Sequence, residues 1–344
     1  MEQTVFGSTG LRVSRTGFGC IPIQRIPFEE STALLRHAYE NGVTLFDTAN
    51  SYTTSEERIG IALEDVRDKI VLCTKSMPLA PDKILENIDN SLWMLKTDYI
   101  DVFQVHNPTF VPRPGGEDGI YDCLLQAKAL GKIRHIGISF HKRNLAEEAV
   151  LSGLYETLQF PFTYLSSPED LALIELCRER NMGVLAMKAL AGGLLTKAKP
   201  AFAFLRQYEN LIPIWGIEKM SQLQEFLAYE AELPALDAEM EKVIAADREE
   251  LSGNFCRACG YCMPCPVGIQ VPISTRITLM VRRMPAEKWF TSEWQDNMRK
   301  IDACSNCGHC KAHCPYGLDI PPLLKYQQGE YFKLLDQFSL GLEK

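Results

Sequence analysis

The sequence has no basic excess. Lys and Arg number 36 against 44 Asp and Glu, a net charge of -8. No stripe stands out that could neutralise a phosphate backbone, which excludes nucleic acid as the main partner. Long apolar runs are also missing, and none approaches the roughly 20 residues a membrane helix needs. The opening MEQTVFGSTG lacks a basic segment followed by an apolar one, so neither a secretory signal nor a membrane partner is expected and the reading is cytoplasmic. No flavin fingerprint is found. What is present is a chain of 344 residues, 46% hydrophobic, long enough for one large domain with a smaller one attached.

Charge and cysteine are unevenly placed. Residues 1–250 carry 25 Lys and Arg against 36 Asp and Glu, whereas residues 251–344 carry 11 against 8. The shift falls where the cysteines begin, because eight of the twelve lie between Cys256 and Cys314. In a cytosolic chain such clustering argues for metal ligation over disulfides. The other four, Cys20, Cys73, Cys123 and Cys177, sit in apolar settings and read as small buried residues.

From Val13 to Tyr229 short apolar, β-branched runs alternate with amphipathic ones. Strands are expected at RTGFGC, TLFDTA, IVLCTK, YIDVFQVH, IRHIGIS, ETLQF, GVLAMK and IPIWGI, with helices between them such as 28–41, 81–96, 118–130, 143–152 and 168–181. Eight strands separated by helices predict a parallel sheet closed into a (β/α)8 barrel; an open doubly wound sheet is the alternative. The expected class is α/β, with a TIM barrel over 1–250 and a small, mainly helical, cysteine-bearing domain over 251–344. A polar segment from Pro234 to Gly253 would close the barrel domain, and Leu323 to Lys344 has helical spacing.

In such a barrel the carboxyl ends of the strands share one rim, so residues far apart in sequence can meet there. Asp47, Lys75, His106, Ser139, Gln159 and Lys188 all occupy such ends or the turns just beyond. A tyrosine, free pKa near 10, serves as a general acid only beside a positive charge that favours the phenolate. Lys75 can supply that charge to Tyr52, a carboxylate at Asp47 can keep the lysine protonated, and His106 can hydrogen-bond a substrate carbonyl. Taken singly, a strand-end Asp and Lys can be a buried ion pair and the histidine of QVHNP a satisfied turn residue. Their joint occurrence on one rim favours carbonyl reduction.

The order FDTANSYTTSEERIG, LCTK, QVHNP, IGIS, LQFPF resembles the motifs of the aldo/keto reductases over about Val5 to Tyr229. The resemblance implies a (β/α)8 barrel and a catalytic tetrad of Asp47, Tyr52, Lys75 and His106. It also implies a nicotinamide cofactor across the rim, with Ser139 and Gln159 holding the carboxamide and the backbone near Gly19 and Cys20 lining the site. Two positions depart from the pattern. Phe140 replaces the asparagine that usually follows the serine, and Met187, beside Lys188, stands where an aromatic residue commonly stacks on the nicotinamide. After the eighth strand GIEKMSQLQEFL aligns Gly216 and Ile217 with a lysine-serine pair and Gln222 with an arginine that grip the 2'-phosphate of NADP, leaving Lys219 as the nearby cation and Glu225 as the adenine-side carboxylate. The cofactor is therefore read as NADP or NAD.

In the tail, CSNCGHCKAHCP has the C-x2-C-x2-C-x3-C-P spacing of two-cluster ferredoxins, and CRACGYCMPCP is one residue shorter before its last cysteine. Cys256, Cys259, Cys262, Cys265, Cys304, Cys307, Cys310 and Cys314 fit two [4Fe-4S] clusters. By the ferredoxin pattern Cys314 joins the first three and Cys265 joins Cys304, Cys307 and Cys310. Four-thiolate zinc sites, or a single cluster with a spare set of cysteines, are the alternatives. A subset of aldo/keto reductases resembles this whole chain, with a carboxyl-terminal dicluster ferredoxin-like domain. The expected function is an NAD(P)H-dependent oxidoreductase acting on a small carbonyl substrate. One alternative is a cluster-fed enzyme using a flavin or an unusual substrate, with an electron-transfer protein as partner; another is a nicotinamide-binding redox sensor or regulator.

Overall fold

The computed structural model describes residues 1–251, 253 and 255–340. A hairpin opens the chain, pairing β1 (Gln3–Val5) antiparallel with β2 (Arg12–Ser14). Eight parallel strands then close a barrel: β3 (Gly17–Gly19), β4 (Leu45–Asp47), β5 (Val71–Ser76), β6 (Ile100–His106), β7 (Ile133–Ser139), β8 (Thr157–Pro161), β9 (Gly183–Met187) and β10 (Leu211–Gly216), with β10 returning to pair with β3. Each strand overlaps one of the eight runs expected from the sequence, with Ser76, Pro161 and Leu211 extending one residue beyond theirs. The reason is chemical: Val, Ile, Leu and Phe fill both faces of strands covered by helices outside and packed side chains inside.

Between the strands run α1 (Phe28–Glu40), α2 (Ser55–Leu63), α3 (Pro81–Met94), α4 (Ile120–Ala129), α5 (Arg143–Ser152), α6 (Pro168–Glu179), α7 (Ala198–Leu205) and α8 (Met220–Ala231). Local chemistry sets their limits. α3 and α6 begin with proline, whose fixed φ suits a first turn. Ser167 and Asp170 exchange side-chain and backbone hydrogen bonds at the start of α6. Gly153, at φ 67°, ends α5 in the left-handed conformation that glycine adopts without strain.

The hairpin was not expected from the sequence. It delivers Phe6, 1% exposed, to a core of Val13, Leu45, Cys73, Val102, Leu185 and Ile212. Gly183 makes room for it, since a Cβ there would stand 2.4 Å from the Phe6 ring. Gly183 is the first residue of β9, so Phe6 plugs the amino-terminal end of the barrel and leaves the carboxyl ends for chemistry.

The chain divides into two compact units, Met1–Ala189 with Lys199–Glu241, and Leu190–Ala198 with Lys242–Lys344. Helix α9 (Ala238–Glu250) leads from the first to the second. The second unit contains α10 (Val271–Ser274), α11 (Ile277–Arg283), α12 (Ser292–Arg299), α13 (His309–Ala312) and α14 (Ile320–Ser339). Ile320, Leu324, Gln327, Tyr331 and Leu334 face inward from α14 at spacings of four and three, the stripe a helix buries on one side. The four apolar ones pack with Val271, Ile277, Val281, Phe290, Met298 and Ile301, while Gln327 accepts the N–H and hydroxyl of Thr278. Among the described residues no helix is long and apolar enough to cross a membrane.

Candidate functional site

Asp47 ends β4 and Lys75 lies next to the end of β5. The lysine Nζ donates to both carboxylate oxygens, at 3.0 and 2.8 Å, and to the Thr48 carbonyl at 2.7 Å. Both residues are buried, 3% and 1% exposed, so this pair is far from solvent screening. Gln104 Nε2 reaches Asp47 Oδ1 at 3.3 Å and Gln159 Nε2 reaches Oδ2 at 3.2 Å, so four hydrogen bonds hold the carboxylate. Burial opposes the lysine charge, but Asp47 and then Tyr52 outweigh it and raise the Lys75 pKa. The lysine stays protonated and aimed.

Tyr52 follows in the loop before α2, half-buried, with Lys75 Nζ 5.2 Å from its ring centroid and His106 edge-on at 6.2 Å. Burial raises the phenol pKa, while the Lys75 charge and its hydrogen bond pull the other way. At neutral pH the tyrosine therefore holds its proton, beside the cation that would stabilise the phenolate. The four residues Asp47, Tyr52, Lys75 and His106 come together on one rim.

His106 ends β6 and is 8% exposed. Burial, then the Lys75 charge, lowers its pKa from 6.5 to about 3. The imidazole is thus neutral at working pH and offers one N–H. A histidine depressed in the folded state adds stability above its unfolded pKa, and that stability is lost as pH falls from 6.5 towards about 3. Urea unfolding of wild type and His106→Asn at pH 7, 6 and 5 is expected to show the wild type losing up to ~1.4 kcal/mol more per pH unit. Parallel stability curves would contradict a neutral buried His106.

Ser139 ends β7 beside His106 and pairs across the sheet with Gln159. The Gln159 Nε2 is committed to Asp47, while its Oε1 is buried with no partner among the described residues. An orphaned amide oxygen at the rim suits the N–H of a carboxamide, so these residues fit a nicotinamide. Gly19 ends β3, where a Cβ would stand 3.2 Å from the Ile214 carbonyl, and the Cys20 N–H donates to the Asp47 carbonyl at 2.8 Å. Phe140 is fully buried and donates its N–H to the Gln159 carbonyl at 3.0 Å. Met187 ends β9 and Lys188 follows in the left-handed region at φ 57°.

At the end of β10, Gly216 pairs across the sheet with Gly19, which in turn pairs with Asp47. Gly216 ends the strand, and Lys219 precedes α8. Gln222 accepts the backbone N–H groups of Glu218 and Lys219 at 3.0 and 3.1 Å, which occupies its carbonyl in starting the helix. Exposed Glu225 accepts the Tyr229 hydroxyl at 2.6 Å.

Three buried residues escaped the sequence reading. Gln104 lies two residues before His106 on one strand, and the period of two could have placed both on the same face. Glu56, 4% exposed, accepts the Thr74 hydroxyl at 2.6 Å, and its pKa is pushed up by burial. His141, 7% exposed, is lowered by burial, then by Lys188 and His106.

In the second unit the two cysteine motifs fold alike. Ala258 and Asn306, each just before the second cysteine, are left-handed at φ 52° and 55°, as are Gly260 and Gly308, just after it, at 86° and 77°. This turn brings three thiols together. Burial, then Cys256 and Cys259, pushes the Cys262 thiol up to about 12, and Cys304 and Cys307 add to the rise at Cys310. Cys265 joins Cys262, Cys304, Cys307 and Cys310 around one cavity. A ring of thiols around a cavity fits a cluster with one thiolate per iron.

Residues 15–201 match the model of the aldo/keto reductase family, and residues 255–319 match that of a 4Fe-4S dicluster domain. The aldo-keto reductase YhdN of Bacillus subtilis (strain 168) is 31% identical over 220 residues, 57% of this chain and 64% of that protein. The L-galactose dehydrogenase of Arabidopsis thaliana is 28% identical over 223 residues, covering 58% and 69%. The chain thus spans about two thirds of the length of these relatives. The crystal structure of an aldo-keto reductase from Klebsiella pneumoniae in complex with NADPH superposes with a TM-score of 0.63 at 22% identity, over 72% of this chain and 95% of that one.

Proposed function

Because the chain belongs to the aldo/keto reductase family and continues into a 4Fe-4S dicluster domain, we propose that it is an NAD(P)H-dependent oxidoreductase that reduces a small carbonyl compound, with Tyr52 as the general acid. The observation that carries this reading is the buried Lys75, tied to both oxygens of Asp47 and 5.2 Å from the Tyr52 ring. A bound NADPH or NADH supplies the hydride. Tyr52 holds a proton at its phenolic oxygen and gives it to the carbonyl oxygen as negative charge develops there. Lys75 stabilises the phenolate that remains, and Asp47 keeps the ammonium charged and aimed. Neutral His106 donates an N–H to the same carbonyl oxygen and orients it. Ser139 and Gln159 hold the carboxamide, which fixes the face presented to substrate.

For the second unit the reading is two [4Fe-4S] clusters, Cys314 with the trio Cys256, Cys259 and Cys262, and Cys265 with Cys304, Cys307 and Cys310. The cavity that Cys265 lines with all three cysteines of the second trio, and with Cys262 of the first, supports this exchange of fourth ligands. The whole reading is tested on anaerobically purified protein with NADPH and NADH against a panel of aldehydes and ketones, alongside iron and sulfide analysis. Cofactor oxidation that depends on the carbonyl, with iron and sulfide near eight each per chain, is expected. Absence of turnover across the panel overturns the reductase reading, and zinc in place of iron overturns the cluster reading.

A further inference from the structure

Arg276, just before α11 in the second unit, is 5% exposed. Its Nη1 and Nη2 donate to the carbonyls of Ala191 and Gly192 at 3.5 and 2.9 Å, and its Nε is buried with no partner among the described residues. No carboxylate among the described residues forms an ion pair with it; the ionisable group acting on it is Cys256. A buried guanidinium without a counter-charge is costly, and two carbonyl dipoles supply no net charge. Something anionic is expected beside it.

The surroundings say what. A Cβ on Gly192 would stand 3.1 Å from Arg276 Nη1 and 3.4 Å from the Cβ of Ala258. Guanidinium, turn and first cysteine loop therefore share one place. The Ala258 N–H donates to Cys256 Sγ at 3.3 Å. A cubane held by four thiolates is a net anion, and arginine, which does not lose its proton, is a permanent cation. The turn it holds is left-handed at three successive residues, Ala191, Gly192 and Gly193, at φ 49°, 65° and 91°. Such a turn needs fixing from outside, above all at the alanine.

We propose that Arg276 is the resident counter-cation of the cluster ligated by Cys256 and, with the same guanidinium, the clasp of the 191–192 turn. One side chain then sets both the redox potential of that cluster and the order of the turn. An electron added to the cluster adds a negative charge beside a fixed cation, so the arginine favours the reduced form and raises the midpoint. This rests on the two-cluster reading, which the iron and sulfide count tests by itself.

The test is an anaerobic redox titration of the full chain, monitored by electron paramagnetic resonance, on wild type, Arg276→Gln and Arg276→Lys. In R276Q the reduced form of the Cys256 cluster is expected to lose about tenfold in relative stability, a 59 mV fall for one electron, while the other cluster keeps its midpoint. R276K keeps the charge and holds both midpoints near wild type. It cannot span two carbonyls as arginine does, so deuterium exchange at amides 191–195 rises in both variants. An unchanged midpoint in R276Q, or equal shifts of both clusters, overturns the proposal. Should R276Q lose iron, R276K decides: retention of the midpoint with faster exchange at 191–195 supports the proposal, and a tenfold fall overturns it.

Discussion

Replacing Tyr52 with phenylalanine is expected to lower kcat for carbonyl reduction by roughly 10²- to 10⁴-fold, the usual contribution of a positioned general acid. That corresponds to about 2.7–5.4 kcal/mol of transition-state stabilisation. Only the hydroxyl is lost. The ring keeps its place against His106 and over Lys75, so KM for the nicotinamide should stay near wild type. The visible absorbance of the clusters should not change either. The pH profile gives a second measure. Burial raises the Tyr52 pKa above its ordinary value, so the protonated phenol persists through neutral pH and wild-type activity declines only on the alkaline side. Y52F should lack that alkaline decline in its residual rate. Equal rates for wild type and Y52F with the best substrate of a panel would remove the tyrosine from the mechanism.

How far the sequence revealed this arrangement depends on how local each signal is. The eight barrel strands were legible because each is a dense run of Val, Ile, Leu and Phe bounded by turns, and the cysteine motifs because ligand spacing is itself a sequence property. The hairpin β1–β2 was not, since its strands are only three residues long and β1 leaves Gln3 and Val5 exposed. Gln104 was missed because a glutamine in an apolar strand carries no sign of the carboxylate it will meet from β4. Nor could spacing show that Leu190–Ala198, between β9 and α7 in the chain, groups with the cysteine-bearing unit, or that no acid among the described residues pairs with Arg276. Those are products of tertiary packing. For Gln222 the alignment of its position suggested a cofactor contact, and packing adds that its carbonyl accepts the N–H groups of Glu218 and Lys219 at the start of α8.

The Asp47–Lys75 pair carries the second large effect. In Lys75→Met the carboxylate keeps Gln104 and Gln159 but loses the ammonium, and a buried charge left without its partner typically destabilises by ~3–5 kcal/mol. Burial already raises the Asp47 pKa, and loss of the neighbouring cation raises it further. A carboxyl raised in the folded state binds its proton more tightly folded than unfolded, so its contribution to stability is present at low pH and is lost as pH rises through the folded pKa. The K75M deficit in urea unfolding should therefore be larger at pH 7 than at pH 5. The double variant Asp47→Asn/Lys75→Met removes both charges. It should recover much of the loss and show no such pH dependence, since replacing both members of a buried pair is far milder than removing one. Carbonyl reduction should stay abolished in both variants, because neither leaves a cation beside Tyr52. Recovery of stability without recovery of turnover would separate the structural role of the pair from its chemical one, whereas a K75M protein as stable as wild type at pH 7 would show that Asp47 is not charged in the folded state.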